Sequence, residues 1–192
     1  MNAIGKSPPD SGNRYALITG ASAGLGAEFA RQLASMGKKL ILVARREDRL
    51  QTLAESLKKQ YQIDSEIIVA DLSEKDAGKK IADTCLSAGW RVDWLVNNAG
   101  IAGPDLLQDR DWNEQQNFFQ LMMLSVADLC HRLIPGMVER DYGRVINVAS
   151  VAARVPRAGG CNYGPAKAYL VALAEELNLP AAAYGVHVAA LG

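Results

Sequence analysis

At 192 residues, 49% hydrophobic and 22% charged, the chain has the size and composition of one globular domain with its own core. Lys plus Arg and Asp plus Glu both number 21, so no net field gathers nucleic acid or a membrane surface, and the expected partner is a small molecule. The start, MNAIGKSPPDSGN, has no apolar core of signal-peptide length, and no later apolar stretch approaches the roughly 20 residues that cross a bilayer, so a cytoplasmic location is the default expectation.

Residues 1–13 read as a flexible N-terminal segment and 14–192 as one domain. RYALIT (14–19) reads as a short buried strand, and 24–36 carries Leu25, Phe29, Leu33 and Met36 at helical spacing before Gly37 ends the run. LILVA (40–44) is a strand, 47–60 a helix, 66–70 a strand and 74–88 a helix. VDWLV (92–96) is a fourth strand. A long helix follows over 112–140, with Phe118, Met122, Ser125, Leu129, Leu133 and Met137 down one side and Pro135 near its end. A fifth strand spans 144–149, and a mostly helical stretch 162–184 has Ala166, Leu170, Leu173 and Leu177 on one face. VHVAAL (186–191) is a sixth strand. Strands alternating with helices of this length pair in parallel. The expected fold class is therefore α/β, a Rossmann-like, doubly wound parallel sheet in three α/β/α layers with right-handed crossovers.

The turn between the first strand and first helix, Thr19-Gly20-Ala21-Ser22-Ala23-Gly24-Leu25-Gly26, lies where such a sheet binds ligands. Glycines let the backbone approach a pyrophosphate, the helix N-terminus offers unpaired N–H groups, and Ser22 adds a hydroxyl. The second strand ends in Ala44-Arg45-Arg46, with no carboxylate to receive a ribose 2′-OH, so Arg45 and Arg46 favour a 2′-phosphate and NADP(H) over NAD(H). Tyr163 and Lys167 stand at i and i+4 on one helical face, and Pro165 is tolerated because it lies near the helix start. Ser150 precedes Tyr163 at the mouth of the fifth strand. Moving a tyrosine from a pKa of about 10 to neutrality takes about 4 kcal/mol. An ammonium at ~4 Å in an effective dielectric of ~20 supplies that. Cys85, Cys130 and Cys161, with His131 and His187, offer no metal spacing and read as reduced thiols and surface or packing imidazoles.

The glycine spacing, with Asp71-Leu72, Asn97-Asn98-Ala99-Gly100, Ser150 and the Tyr163 and Lys167 pair, resembles the classical short-chain dehydrogenase/reductase family over almost the whole chain. The resemblance implies that Asp71 and Leu72 contact the adenine, that Asn98, Ala99 and Gly100 back the cofactor ribose, and that Arg45 sits where NADP-preferring members carry a basic residue. It further implies that Ser150 binds the carbonyl oxygen, Tyr163 transfers the proton, and Lys167 also holds the nicotinamide ribose. The implied activity is NADP(H)-dependent hydride transfer to or from a small carbonyl or secondary alcohol, in a homodimer or homotetramer paired through 112–140 and the helix of Tyr163.

Two features depart from the family. Its asparagine on the long helix is expected near Met122, and a thioether cannot make an amide's hydrogen bonds; Asn117 does not fill the same place. Members also continue beyond the sixth strand, so a domain ending at Gly192 is expected to lack the usual C-terminal substrate-loop region and to hold a wetter reaction centre. Val151, Val155, Arg157 and Cys161 are then the local candidates for the substrate's near wall. A dinucleotide-binding, catalytically weak or inactive member acting through self-association is the competing reading.

Overall fold

The computed structural model describes residues 12–156 and 159–192, and its centre is a six-stranded parallel sheet in the order β3-β2-β1-β4-β5-β6. The strands are β1 (Arg14–Thr19), β2 (Lys39–Ala44), β3 (Ser65–Val69), β4 (Arg91–Asn97), β5 (Gly143–Val148) and β6 (Val186–Leu191). The helices are α1 (Gly24–Ser35), α2 (Glu47–Tyr61), α3 (Ala77–Ser87), α4 (Trp112–Phe119), α5 (Ser125–Glu139) and α6 (Tyr163–Ala181). β1 lies between two parallel partners, with Leu17 facing Ile41 on one side and Leu95 on the other. Burial on both faces explains why its sequence is a continuous apolar run.

Alternate residues of β1 enter different layers, as the strand period requires. Tyr15 and Leu17 pack with Leu129, Met137 and Leu170, from α5 and α6, and with Ile81 from α3. Ala16 and Ile18 pack with Ala30 and Leu33 of α1 and Leu50, Leu53 and Leu57 of α2. The strand order reverses between β1 and β4, which opens a crevice at their carboxyl ends.

Three elements differ from the expectation. α3 begins at Ala77, not Glu74, because the Asp71 carboxylate accepts from the amide and hydroxyl of Ser73 and holds the chain in turns. The long helix runs unbroken over Trp112–Glu139 but is not α throughout: residues Gln120–Leu124 form a π turn between α4 and α5, which shifts the helical register by part of a turn. The inner face of α6 is Ala166, Lys167, Leu170 and Ala174, with Leu173 and Leu177 only half-buried. By length and composition the run Trp112–Glu139 is apolar enough to cross a bilayer, although no uninterrupted apolar stretch marks it; its inner face packs on β4, β5 and α3.

At the opposite end of the sheet from the crevice, Asp93 is buried between Arg14, at 3.0 Å, and Arg140, at 3.3 Å. Burial pushes its carboxyl up despite both guanidiniums. This cluster anchors the sheet's base and leaves the carboxyl ends of the strands to the site. Of the expected domain boundaries, 1–11 lie outside the described residues.

Candidate functional site

The crevice is built by hydrogen bonds between the ends of β1 and β4. Thr19 is buried; its Oγ1 accepts from the amides of Asn98 and Ala99, both at 3.0 Å. The Asn98 side-chain amide returns bonds to the carbonyls of Thr19, 3.0 Å, and Gly20, 3.3 Å. Asn97 donates to Asn147 on β5 at 2.9 Å, extending the same tie across the sheet. The turn after β1 is thereby fixed against the turn after β4.

Glycine is required in this turn for two reasons. Gly20 has φ +66°, and a Cβ there would stand 2.8 Å from both Ala99 Cα and Asn98 Nδ2. Gly26 is helical, but its Cβ would stand 2.6 Å from Asn98 Nδ2 and 2.8 Å from the Gly20 carbonyl carbon. The helix behind the turn has no side-chain cap at Ala23 and no acidic residue in its first turn, so its free N–H groups face the crevice uncompensated. A cradle that excludes even a methyl group, set at a helix N-terminus, fits a pyrophosphate.

Two adjoining cavities occupy the crevice. The first, about 350 Å³, is walled by Gly20, Ser22, Leu25, Arg45, Arg46, Asp71 and Leu72, together with Asn98, Ala99 and Gly100. Arg46 spans its mouth, donating to Ser22 Oγ through Nη2 at 2.9 Å, and Arg45 pairs with Asp71 at 3.4 Å. Burial pushes the Asp71 carboxyl up, but the bonds from Ser73 and the Arg45 guanidinium outweigh it and hold it below its ordinary value. Two cations beside an ionised carboxylate give this cavity donors for a phosphate and an acceptor for a base amino group.

The second cavity, about 610 Å³, shares Leu25, Asn98, Gly100 and Ile101 with the first and adds Ser150, Val151, Tyr163 and Lys167. The β5 terminus delivers Ser150, whose Oγ accepts from the Ala152 amide at 3.2 Å and caps the short turn Val151–Ala153. The first residue of α6 is Tyr163, and Lys167 lies one turn later beneath it. The Lys167 ammonium is buried, donates to the Val148 carbonyl at 2.6 Å, and lies 5.6 Å from the centre of the Tyr163 ring. Desolvation lowers its pKa. The Val148 carbonyl thus fixes the ammonium under the Tyr163 ring.

All the residues singled out from sequence for cofactor or catalysis line one of the two cavities except two glycines. Gly24 and Gly26 line neither cavity; Gly26 packs behind Gly20, and Gly24, at φ +55°, shapes the start of α1. Met122 is buried in the π turn, where its Sδ receives the Ile101 amide at 3.4 Å and packs on Gly100. Asn117 is exposed on α4 and remote in register. Of the suggested near wall, Val151 lines the second cavity, Val155 and Cys161 line neighbouring ones, and Arg157 lies outside the described residues. Sequence reasoning missed Asn147, Thr19 as an acceptor, and the Val148 carbonyl. Asn147 was detectable as an amide inside an apolar strand.

A sequence profile described as short chain dehydrogenase matches residues 14–192. Sulfoacetaldehyde reductase 2 of Chromohalobacter salexigens is 33% identical over 174 residues, covering 90% of this chain and 68% of that protein. The human protein named inactive hydroxysteroid dehydrogenase-like protein 1 is 31% identical over 186 residues, covering 93% of this chain and 54% of its own length. The chain therefore spans between about half and about two thirds of these relatives. A short-chain dehydrogenase from Sphingobium yanoikuyae, solved in complex with NADPH, superposes with a TM-score of 0.85 at 31% identity, over 92% of this chain and 69% of that one.

Proposed function

We propose, on the premise that the chain belongs to the short chain dehydrogenase family, that it is an NADP(H)-dependent oxidoreductase acting on a small carbonyl or secondary alcohol. One observation carries this reading: the cavity holding Ser150, Tyr163 and Lys167 adjoins the cavity flanked by Arg45 and Arg46, the two sharing Leu25, Asn98, Gly100 and Ile101 as walls. A nicotinamide dinucleotide bound along both would supply the hydride.

The chain's own residues supply the rest. Gly20, Ser22 and the N-terminus of α1 would receive the pyrophosphate, with Leu25 against it, and Arg45 and Arg46 the 2′-phosphate. Asp71 and Leu72 would bound the adenine, and Asn98, Ala99 and Gly100 the ribose. Ser150 already accepts the Ala152 amide, which leaves its hydroxyl proton for a substrate oxygen. Tyr163 then gives its proton to that oxygen as charge develops there, and takes it back in the alcohol-oxidising direction. Lys167 provides a fixed positive charge below the ring, oriented by Val148.

The test is consumption of NADPH and NADH by the purified chain over a panel of small ketones and aldehydes. NADPH-dependent turnover of at least one carbonyl is expected, with NADH less effective. Met122, a thioether in place of an amide, favours a second reading, a dinucleotide-binding chain of weak or no activity. Saturable NADPH binding without turnover on any carbonyl would assign that reading, and absence of binding would remove both.

A further inference from the structure

We infer that Gln115 and Asn162 form a strut that positions Tyr163, an inference that rests on Tyr163 being the proton donor proposed above. Gln115 lies on α4, whose residues 112–114, 116 and 117 are all exposed, yet it is only 2% exposed itself. A buried amide must satisfy both its ends. Gln115 Oε1 accepts from Asn162 Nδ2 at 3.2 Å, and its Nε2 donates to the Pro104 carbonyl at 3.4 Å. One side chain thus ties α4 to two different loops.

Asn162 immediately precedes Tyr163 and occupies the N-cap of α6. Asparagine is a favoured capping residue whose side chain ordinarily accepts from the helix's free amides. Here its carbonyl accepts from the Ala166 amide at 2.9 Å, but the side chain makes no capping bond and is turned toward Gln115. The capping stabilisation is forgone at the residue beside the proposed acid. The exchange makes sense if the cross-link, not the helix end, is what the position serves.

The two loops touch elsewhere along the same seam. Asp105 and Cys161 form an isolated antiparallel bridge, and the Leu106 amide donates to the Gly160 carbonyl at 2.7 Å. Leu107 fills the space beside Gly160, where a Cβ would lie 2.9 Å from its Cγ. Gly103 packs against Phe118 of α4 and the Tyr163 amide, where a Cβ would lie 3.2 and 3.4 Å away. Ala102, at the start of this stretch, lines the second cavity. The strut therefore bears on two things at once: the placement of Tyr163 at the start of α6, and that of the loop whose Ala102 lines the same cavity. Neither Gln115 nor Asn162 lines the reaction cavity, so both are positioning residues.

The experiment uses Gln115→Met, which keeps length and shape without the amide, Asn162→Ala, and the double variant. Two readouts are taken, hydrogen exchange of the free proteins and steady-state kinetics with NADPH. In Gln115→Met, amides of 102–106 and of 159–164 are expected to exchange faster together, although the residue sits on neither loop. The expected kcat falls about tenfold, within the loss that ångström-scale misplacement of a reacting group produces, while the NADPH dissociation constant changes less than about twofold. The double variant is expected to be no slower than the worse single, as for one shared interaction. Unchanged exchange in 159–164, or losses that multiply in the double variant, would overturn the strut. If the wild-type chain binds NADPH but turns nothing over, the functional reading fails, and the exchange measurement still decides the strut. Should Gln115→Met not fold, Asn162→Ala alone decides it: faster exchange in 102–106 supports the strut, and unchanged exchange there removes it.

Discussion

Gly26→Ala sets two opposing effects against each other. Gly26 is the third residue of α1, and alanine in place of glycine inside a helix gains about 1 kcal/mol of intrinsic propensity. The added methyl, however, would lie 2.6 Å from Asn98 Nδ2 and 2.8 Å from the Gly20 carbonyl carbon. Non-bonded heavy atoms normally stand ~3.5–4.0 Å apart, so the backbone of the turn must yield by about an ångström. Overpacking of this kind costs about 1–3 kcal/mol. Displacing Asn98 also gives up its two bonds to Thr19 and Gly20, at about 1 kcal/mol each. The net is a destabilisation of about 2–4 kcal/mol, or roughly 5–15 °C in Tm for a chain of this length. Gly24→Ala is the control. Its φ is +55°, but nothing lies within 4 Å of its added carbon, so only the left-handed backbone cost of about 1–2 kcal/mol applies. Thermal unfolding of both variants, with NADPH titration, reads the difference. Gly26→Ala is expected to be the less stable and to bind NADPH at least about tenfold more weakly, since Gly20 is displaced with it. A Gly26→Ala protein as stable and as tight-binding as wild type, or a greater loss in Gly24→Ala, would refute the packing described for this turn.

Arg45→Asp is expected to weaken NADPH binding by about 10- to 100-fold, the worth of a charge-assisted hydrogen bond, and to leave NADH equal or tighter; an unchanged preference by titration would remove Arg45 from phosphate recognition. Lys167 has a folded pKa below the 10.5 of its free value. Below that folded value both states hold the proton; between it and 10.5 the unfolded chain binds more, so stability gains from this residue as pH rises through the window. Denaturant unfolding across that window is expected to show the gain in wild type and not in Lys167→Met, whereas parallel curves would mean that the ammonium is not desolvated. Burial pushes the Cys85 thiol up to about 11 and the Cys130 thiol up to about 12, while Cys161 is half-exposed. Brief alkylation near pH 8 is therefore expected to modify Cys161 in the native chain and all three thiols in urea; rapid native labelling of Cys130 would contradict its burial.

The centre of the sheet was legible because β1, β2 and β4 are buried on both faces: runs such as LILVA have no polar alternation to confuse them with half-exposed elements. The site was legible where chemistry depends on sequence-local spacing, as in the turn at Gly20–Gly26 and the i, i+4 pair of Tyr163 and Lys167. What could not be read depends on non-local geometry. The π turn at Gln120–Leu124 leaves no compositional mark, since QLMML is as good a helix as any; only packing of Met122 against Gly100 and Ile101 reveals the extra residue. Gln115, inside the polar run WNEQQN, reads as solvent-facing until two distant loops close over it. The Val148 carbonyl that accepts from the Lys167 ammonium is a backbone group of β5 and has no side-chain signature at all.

The central claim is that Tyr163 transfers the proton in an NADPH-dependent reaction. Its most direct test compares wild type with Tyr163→Phe, which removes one oxygen, by NADPH titration and by turnover on a carbonyl that the wild-type chain reduces. NADPH affinity within about twofold of wild type and turnover reduced by about 10²–10⁴-fold are the expected result. Undiminished turnover with intact binding would contradict the account.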